Sequence, residues 1–141
     1  MPVRKASAVW NGDLFKGNGK MKFGSGAFEG DYSFGSRFEE AKGTNPEELI
    51  GAANAGCFSM AFSAALAESG YKPKSVATSA KVHIDKVGDG FKITTIELDM
   101  QATVPSITED EFQKLAEAAK TNCPVSQALK GVEIRLKAKL A

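Results

Sequence analysis

Cysteine and histidine are scarce in this chain of 141 residues, which has Cys57, Cys123 and the single His83. That is too few for a structural Cys/His zinc site, and the lack of a CxxC pair excludes the thioredoxin-type redox motif. Charge of one sign is lacking as well. Eighteen Lys and Arg stand against seventeen Asp and Glu, for a net +1. No strong field is therefore available to hold phosphate backbones or anionic lipid, and neither nucleic acid nor a membrane is an expected partner. The opening Met1-Pro2-Val3-Arg4-Lys5 carries positive charge with no apolar run behind it. It reads as neither a secretory signal nor a transit peptide, so a reducing cytoplasm is the expected location. No repeat, low-complexity tract or Pro/Gly/Ser linker divides the chain, and 43% hydrophobic residues suit a single domain over residues 1–141.

Nineteen uncharged residues, Leu49 to Ala67, approach the length of a membrane span. Alanine, glycine, serine and Asn54 dominate them, so hydrophobicity per residue is low, and a central helix buried in protein is the better reading. Its start is well marked. Asn45 caps the free amides, Pro46 suits the first helical position, and Glu47 and Glu48 favour the positive end of the helix dipole. The helix is predicted to run to Ser69-Gly70 and is apolar on more than one face, with Leu49, Ala52, Ala53, Gly56, Cys57 and Met60 on one side and Ile50, Phe58, Phe62 and Leu66 on the other. A domain this small has few elements with which to enclose such a helix, which points to burial by a second copy of the chain in a two-fold dimer.

The first forty residues are glycine-rich with short apolar beats, which predicts short strands joined by tight turns. After Pro73 the period becomes two, with Val76, Thr78, Ala80, Val82 and Ile84 on one face. Gly88-Asp89-Gly90 turns into a second strand, in which Ile96, Leu98, Met100, Ala102 and Val104 alternate while Phe91 and Ile93 keep the opposite phase. A bulge near Thr94-Thr95 reconciles the two. Thr108 to Glu111 is a capping box that opens an amphipathic helix ending near Asn122. A short helix from Pro124 to Lys130 and a last strand through Val132, Ile134, Leu136, Ala138 and Leu140 complete an α+β fold, with mainly antiparallel strands from both chain ends around a long buried central helix.

Cys57 lies in the middle of the apolar helix, and Cys123 precedes Pro124 at the start of the short one. Local physics makes Cys123 the more reactive thiol, because helix-start amides favour thiolate whereas an apolar setting raises the pKa of Cys57. The plain alternative is that both are small buried hydrophobes. Taken singly, Arg37 reads as a surface charge, Glu47 as a first-turn glutamate, Glu48 as a helix-capping residue, and His83 as a solvated residue on the polar face of a strand. Phe23, Phe28, Phe34, Phe58, Met60 and Phe62 read as core residues, some of them available to line an apolar pocket.

Four blocks change the balance: Arg37-Phe38-Glu39, Gly43-Thr44-Asn45-Pro46-Glu47-Glu48-Leu49-Ile50-Gly51-Ala52-Ala53, Cys57-Phe58-Ser59-Met60-Ala61, and Asn122-Cys123-Pro124-Val125-Ser126-Gln127-Ala128-Leu129. Together with Trp10-Asn11-Gly12-Asp13 they resemble the osmotically inducible protein C and organic hydroperoxide resistance (OsmC/Ohr) family, in its OsmC branch. Two departures are Asn54, where OsmC-type members often carry histidine, and Gly56, where alanine is usual. The resemblance implies an intertwined homodimer and a cysteine-dependent peroxidase that reduces organic hydroperoxides and, less well, hydrogen peroxide, in stress defence. It implies Cys57 as the peroxidatic cysteine, Cys123 as the resolving cysteine, Arg37 as the activating arginine and Glu47 as the glutamate that holds it. It further implies lipoylated proteins or other dithiols as electron donors. The proposed cycle requires no cofactor, and flavin, haem and metal have no support in the sequence.

One geometric point is independent of that resemblance. Glu47 and Cys57 are ten residues apart, which on a continuous helix is a rise of roughly 15 Å, too far for both to touch one arginine. Either the helix breaks near Gly51, or Arg37 and Glu47 come from one subunit and the cysteines from the other. Two other functions compete with the peroxidase: a dimeric carrier of apolar ligands and a thiol redox sensor. A carrier keeps its binding when both cysteines are replaced, and a sensor shows a partner or conformation that depends on oxidation.

Overall fold

The computed structural model describes all 141 residues, in the order β1 (Ala6–Asn11), β2 (Asn18–Phe23), β3 (Glu29–Tyr32), α1 (Phe34–Phe38), α2 (Pro46–Glu68), β4 (Ser75–Val87), β5 (Gly90–Thr103), α3 (Glu109–Asn122), α4 (Pro124–Ala128) and β6 (Glu133–Leu140). Two compact units result, Met1–Leu49 and Ile50–Ala141.

The first unit is an antiparallel meander, β1-β2-β3, followed by α1 and the first turn of α2. Gly19 sits opposite both Trp10 and Tyr32, and a Cβ there would lie 2.5 Å from the Tyr32 ring. Its missing side chain lets the two rings meet at 5.3 Å across the middle strand. The turn-rich reading of this region holds for the strands but overlooks α1. That helix is opened by a reciprocal pair of serines: the Ser36 amide donates to Ser33 Oγ and the Ser33 amide to Ser36 Oγ.

In the second unit β4 and β5 are antiparallel, and β5 and β6 are parallel. The parallel pairing follows from the α3–α4 crossover, which returns the chain to the same end of the sheet before β6 begins. The bulge expected near Thr94 is present: His83 pairs with Thr95 and the next residue, Ile84, with Ile93, so Thr94 is left over. Phe58, Phe62 and Leu66 of α2 pack with Ile96, Leu98, Met100 and Ala102 of β5 and with Phe112, Ala116 and Ala119 of α3. Phe62 meets Phe112 edge to face at 5.3 Å.

The α+β reading and the long helix at its centre are observed. In a single chain α2 is buried along one face only. Ala52, Ala53, Gly56 and Met60 lie exposed, with Met60 77% accessible. One sheet and one amphipathic helix have enough apolar surface for one side of a cylinder, and the other side of α2 finds no cover within the chain. The Phe62→Ala protein is expected to lose about 3–5 kcal/mol of stability in urea denaturation, because removing a fully buried ring leaves a cavity between α2 and α3.

Candidate active site

Two pairs of candidate residues form, one in each unit. In the first, the loop Gly43-Thr44-Asn45 ties the end of β3, α1 and the start of α2 together. Gly43 has φ +124°, and a Cβ there would come within 2.7 Å of the Asp31 carbonyl, so only glycine lets the chain pass so close to β3. The Thr44 amide donates to Asp31 O at 2.8 Å, the buried Ser36 hydroxyl donates to Thr44 O at 2.7 Å, and Asn45 Nδ2 donates to Ser36 O at 3.0 Å. Asn45 Oδ1 meanwhile accepts from the Glu48 amide at 2.8 Å, the cap expected from the sequence. Glu48 is occupied locally, since its carboxylate accepts from the Thr44 hydroxyl.

This lacing holds Arg37 against Glu47. Nε and Nη2 both donate to Glu47 Oε1, at 2.9 and 2.8 Å, and the second oxygen, Oε2, is buried without a hydrogen-bond partner. The carboxylate is buried, whereas the arginine side chain remains 38% accessible. Its guanidinium lies over the Phe38 ring at 5.2 Å. Beside it a cleft of about 250 Å³ is lined by Trp10, Leu14, Tyr32, Phe34 and Phe38. Of the apolar residues read from the sequence as core or pocket, Phe34 lines this cleft, Phe58 and Phe62 are core, Phe28 is half-buried, and Phe23 and Met60 are exposed rather than core.

The second pair is Cys57 and Cys123, both free thiols. Cys57 is half-buried on α2, and Cys123 is fully buried where α3 ends and α4 begins. The two thiols lie close enough for each to act on the ionisation of the other. Burial pushes the Cys57 thiol up, the hydrogen bond to Cys123 and the charge of Cys123 add to the rise, and the Val125 amide opposes it. Burial acts upward on Cys123 as well, but there it is outweighed by the Cys57 thiol, the Ser126 amide and hydroxyl, and the Val125 amide, so the net shift is downward. The first proton to leave this pair therefore leaves Cys123, while Cys57 keeps its own. Nothing cationic contributes to the shift at Cys57.

Behind the thiols lies a contact that the sequence reading did not single out. Asn54 is fully buried, and its Nδ2 donates to Ser126 Oγ at 3.1 Å. Its Oδ1 is buried without a partner, an omission that costs about 1–3 kcal/mol. The available signal was a lone amide inside nineteen uncharged residues. His83 stands apart on the outer face of the second sheet, paired with Glu97 at 2.5 Å. No group of three or more His, Cys, Asp or Glu residues is placed to hold a metal ion.

Comparison with known proteins agrees with the site's chemistry. The family model for OsmC-like proteins matches residues 39–137. Over 128 residues, 90% of each chain, the sequence is 49% identical to "Peroxiredoxin OsmC" of Escherichia coli K12. It is 36% identical over 90 residues to an organic hydroperoxide resistance protein of Xanthomonas axonopodis pv. citri, covering 63% of this chain and 61% of the other. A crystal structure of an organic hydroperoxide resistance protein from Elizabethkingia anophelis superposes with a TM-score of 0.73 at 27% identity, over 99% of both chains. The α+β fold and these matches place the chain in the OsmC/Ohr class of proteins. Within that class the chain belongs to the OsmC-like family, in the OsmC branch of the OsmC/Ohr group.

Thiolate absorbance should resolve the coupling between the sulfurs. Cys57→Ala removes the neighbour that favours the Cys123 thiolate, so the remaining thiol titrates at higher pH than Cys123 does in the intact pair. Cys123→Ala has the opposite sign, with the Cys57 thiol titrating lower than before.

Proposed function

We propose that this chain is a cysteine-dependent peroxidase of organic hydroperoxides, and of hydrogen peroxide less efficiently, working as a homodimer in the cytoplasm as part of oxidative-stress defence. The observation that carries the proposal is the pair of free thiols, close enough to act on each other's ionisation, in a chain 49% identical to a peroxiredoxin OsmC. The Cys57 thiolate attacks the distal peroxide oxygen, the O–O bond breaks, and the alkoxide takes up a proton and leaves as alcohol. Cys57 is thereby oxidised to sulfenic acid. The Cys123 thiolate then attacks Cys57 Sγ, forming the S–S bond and expelling hydroxide, which leaves as water. A dithiol, such as a lipoyl group carried on a protein, returns both sulfurs to thiols by two exchange steps and is itself oxidised to a disulfide.

Cys57 needs a cation to ionise first, because burial and its neighbour both hold its proton on. Arg37 suits the task, since a guanidinium stays charged and its free N–H groups can meet the peroxide oxygens as charge develops. The cleft beside it offers an apolar wall to the organic substituent. Because α2 runs without a break from Pro46 to Glu68, a local break near Gly51 does not bring Glu47 to the thiols. We therefore assign Arg37 and Glu47 of one subunit to the thiols of the other. Two features favour assembly of two copies: the exposed Ala52, Ala53, Gly56 and Met60 on α2, and the buried Glu47 Oε2 that accepts from no group in one chain.

Consumption of cumene hydroperoxide with a dithiol reductant tests the activity. Cys57→Ser is expected to abolish turnover, and Cys123→Ser to leave a trappable sulfenic acid on Cys57. Arg37→Ala should slow peroxide attack on the order of a hundredfold. Because it leaves the buried Glu47 carboxylate unpaired it should lower the melting temperature as well, so rates are compared on protein shown to be folded at the assay temperature. Mixing Arg37→Ala with Cys57→Ser should recover part of the activity in demonstrated heterodimers, and a lack of recovery there refutes the shared site. Light scattering should give twice the 14.9 kDa of one chain, with Met60→Glu shifting the protein toward monomer.

A further inference from the structure

The two cysteines differ in how closely a third sulfur can approach them. Thiol–disulfide exchange needs the incoming thiolate in contact with the sulfur it attacks, so access decides which end of a disulfide is opened. Cys57 is half-buried on α2, whereas Cys123 has 0% of its surface accessible. The burial of Cys123 is also latched. Its amide donates to Ala119 O at 2.9 Å and closes α3, while its carbonyl accepts from the Gln127 amide at 2.9 Å and opens α4. The Gln127 side-chain amide reaches back to Thr121 O at the end of α3. Asn54 Nδ2 donates to Ser126 Oγ at 3.1 Å, which fastens α4 to α2 through two buried residues. Cys123 therefore cannot swing outward without breaking hydrogen bonds that hold α3 and α4 in place. Cys57, by contrast, must be reached by the hydroperoxide, and the same opening serves a thiol.

We propose that reduction of the disulfide has a fixed direction: the dithiol attacks Cys57 Sγ and not Cys123, so Cys57 carries the mixed disulfide and Cys123 is the leaving group. This rests on the peroxidase reading, in which the two thiols become a disulfide. The first thiolate of the reductant forms an S–S bond to Cys57, the Cys57–Cys123 bond breaks, and its electron pair leaves on Cys123, which takes up a proton. The second thiol of the reductant then gives up its proton and attacks the reductant sulfur already bound to Cys57. That closes a disulfide within the reductant and releases Cys57 as thiolate, so two electrons pass from the dithiol to the protein. The geometry also sets a demand on the reductant. Cys123, freed but held in place, can attack Cys57 Sγ again and expel a reductant that has only one thiol. A second thiol in the same molecule competes with that reclosure because it is equally close to the bond.

The test locates the mixed disulfide. The intact protein is oxidised to its disulfide with diamide, which needs no peroxide, and then treated briefly with 2-mercaptoethanol. Acid quenching, denaturation and alkylation fix the products for peptide mass analysis. The mercaptoethanol adduct is expected on Cys57 and the alkyl group on Cys123, exceeding the reverse pattern by about tenfold or more. Equal adducts, or an excess on Cys123, overturn the inference. Where reclosure leaves no adduct on either residue, the single-cysteine proteins decide. Cys57 in Cys123→Ala and Cys123 in Cys57→Ala are each treated with methyl methanethiosulfonate, and each rate is divided by the thiolate fraction at that pH and by the rate in denaturant. Cys57 should then react faster by about tenfold, and equal rates overturn the inference. An adduct on Cys57 in a protein that consumes no hydroperoxide leaves the direction of attack standing and refutes the peroxidase reading. Hydroperoxide turnover with the adduct on Cys123 does the reverse.

Discussion

Moving a sulfur's negative charge out of water disfavours ionisation, and both cysteines sit where that penalty applies. The surroundings of each sulfur can be read as an answer to it. Cys123 is answered locally, by the amides of Val125 and Ser126, the Ser126 hydroxyl and the neighbouring thiol. Cys57, in the middle of an apolar helix, has only the Val125 amide in its favour. A thiol held in its protonated form is a weak nucleophile, because the thiolate is the reactive species. In the first unit the lacing of Gly43, Thr44, Asn45 and Ser36 holds Arg37 on one oxygen of a buried carboxylate with its guanidinium still partly open.

Much of this was legible from residue order. The α2 cap at Asn45-Pro46, the β4–β5 hairpin and the bulge at Thr94 all follow from local rules, because capping, alternation and a phase slip each leave a mark within a few residues. Helix α1 was missed since Phe34-Gly35-Ser36-Arg37-Phe38 is one turn long and carries glycine, and a single turn has no period to detect. The parallel β5–β6 pairing was equally invisible, being set by the crossover between the strands.

The site divides along the same line. Cys57 and Cys123 stood out by rarity, but local reasoning favoured Cys123 as the reactive thiol, and the shifts within one chain agree with that local argument. Only the family pattern assigned the first step to Cys57. Asn54 and Ser126 lie 72 positions apart, so no spacing rule connects them; what connects them is the packing of α2 against α4. The general lesson is that a polar residue stranded in an uncharged helical run marks a contact with something distant, even when the sequence does not say what.

The crossover also imposes an order on synthesis. Cys57 emerges on α2 well before Cys123, and β5 presents an unpaired edge until β6 arrives after α3 and α4 have been laid down. During that interval the first thiol has no second cysteine in the chain with which an internal disulfide could form. Until β5, α3 and α4 have packed against α2, Cys57 lacks the neighbours that bury it, so the apolar surroundings that hold its proton on belong to the completed fold and not to the nascent chain.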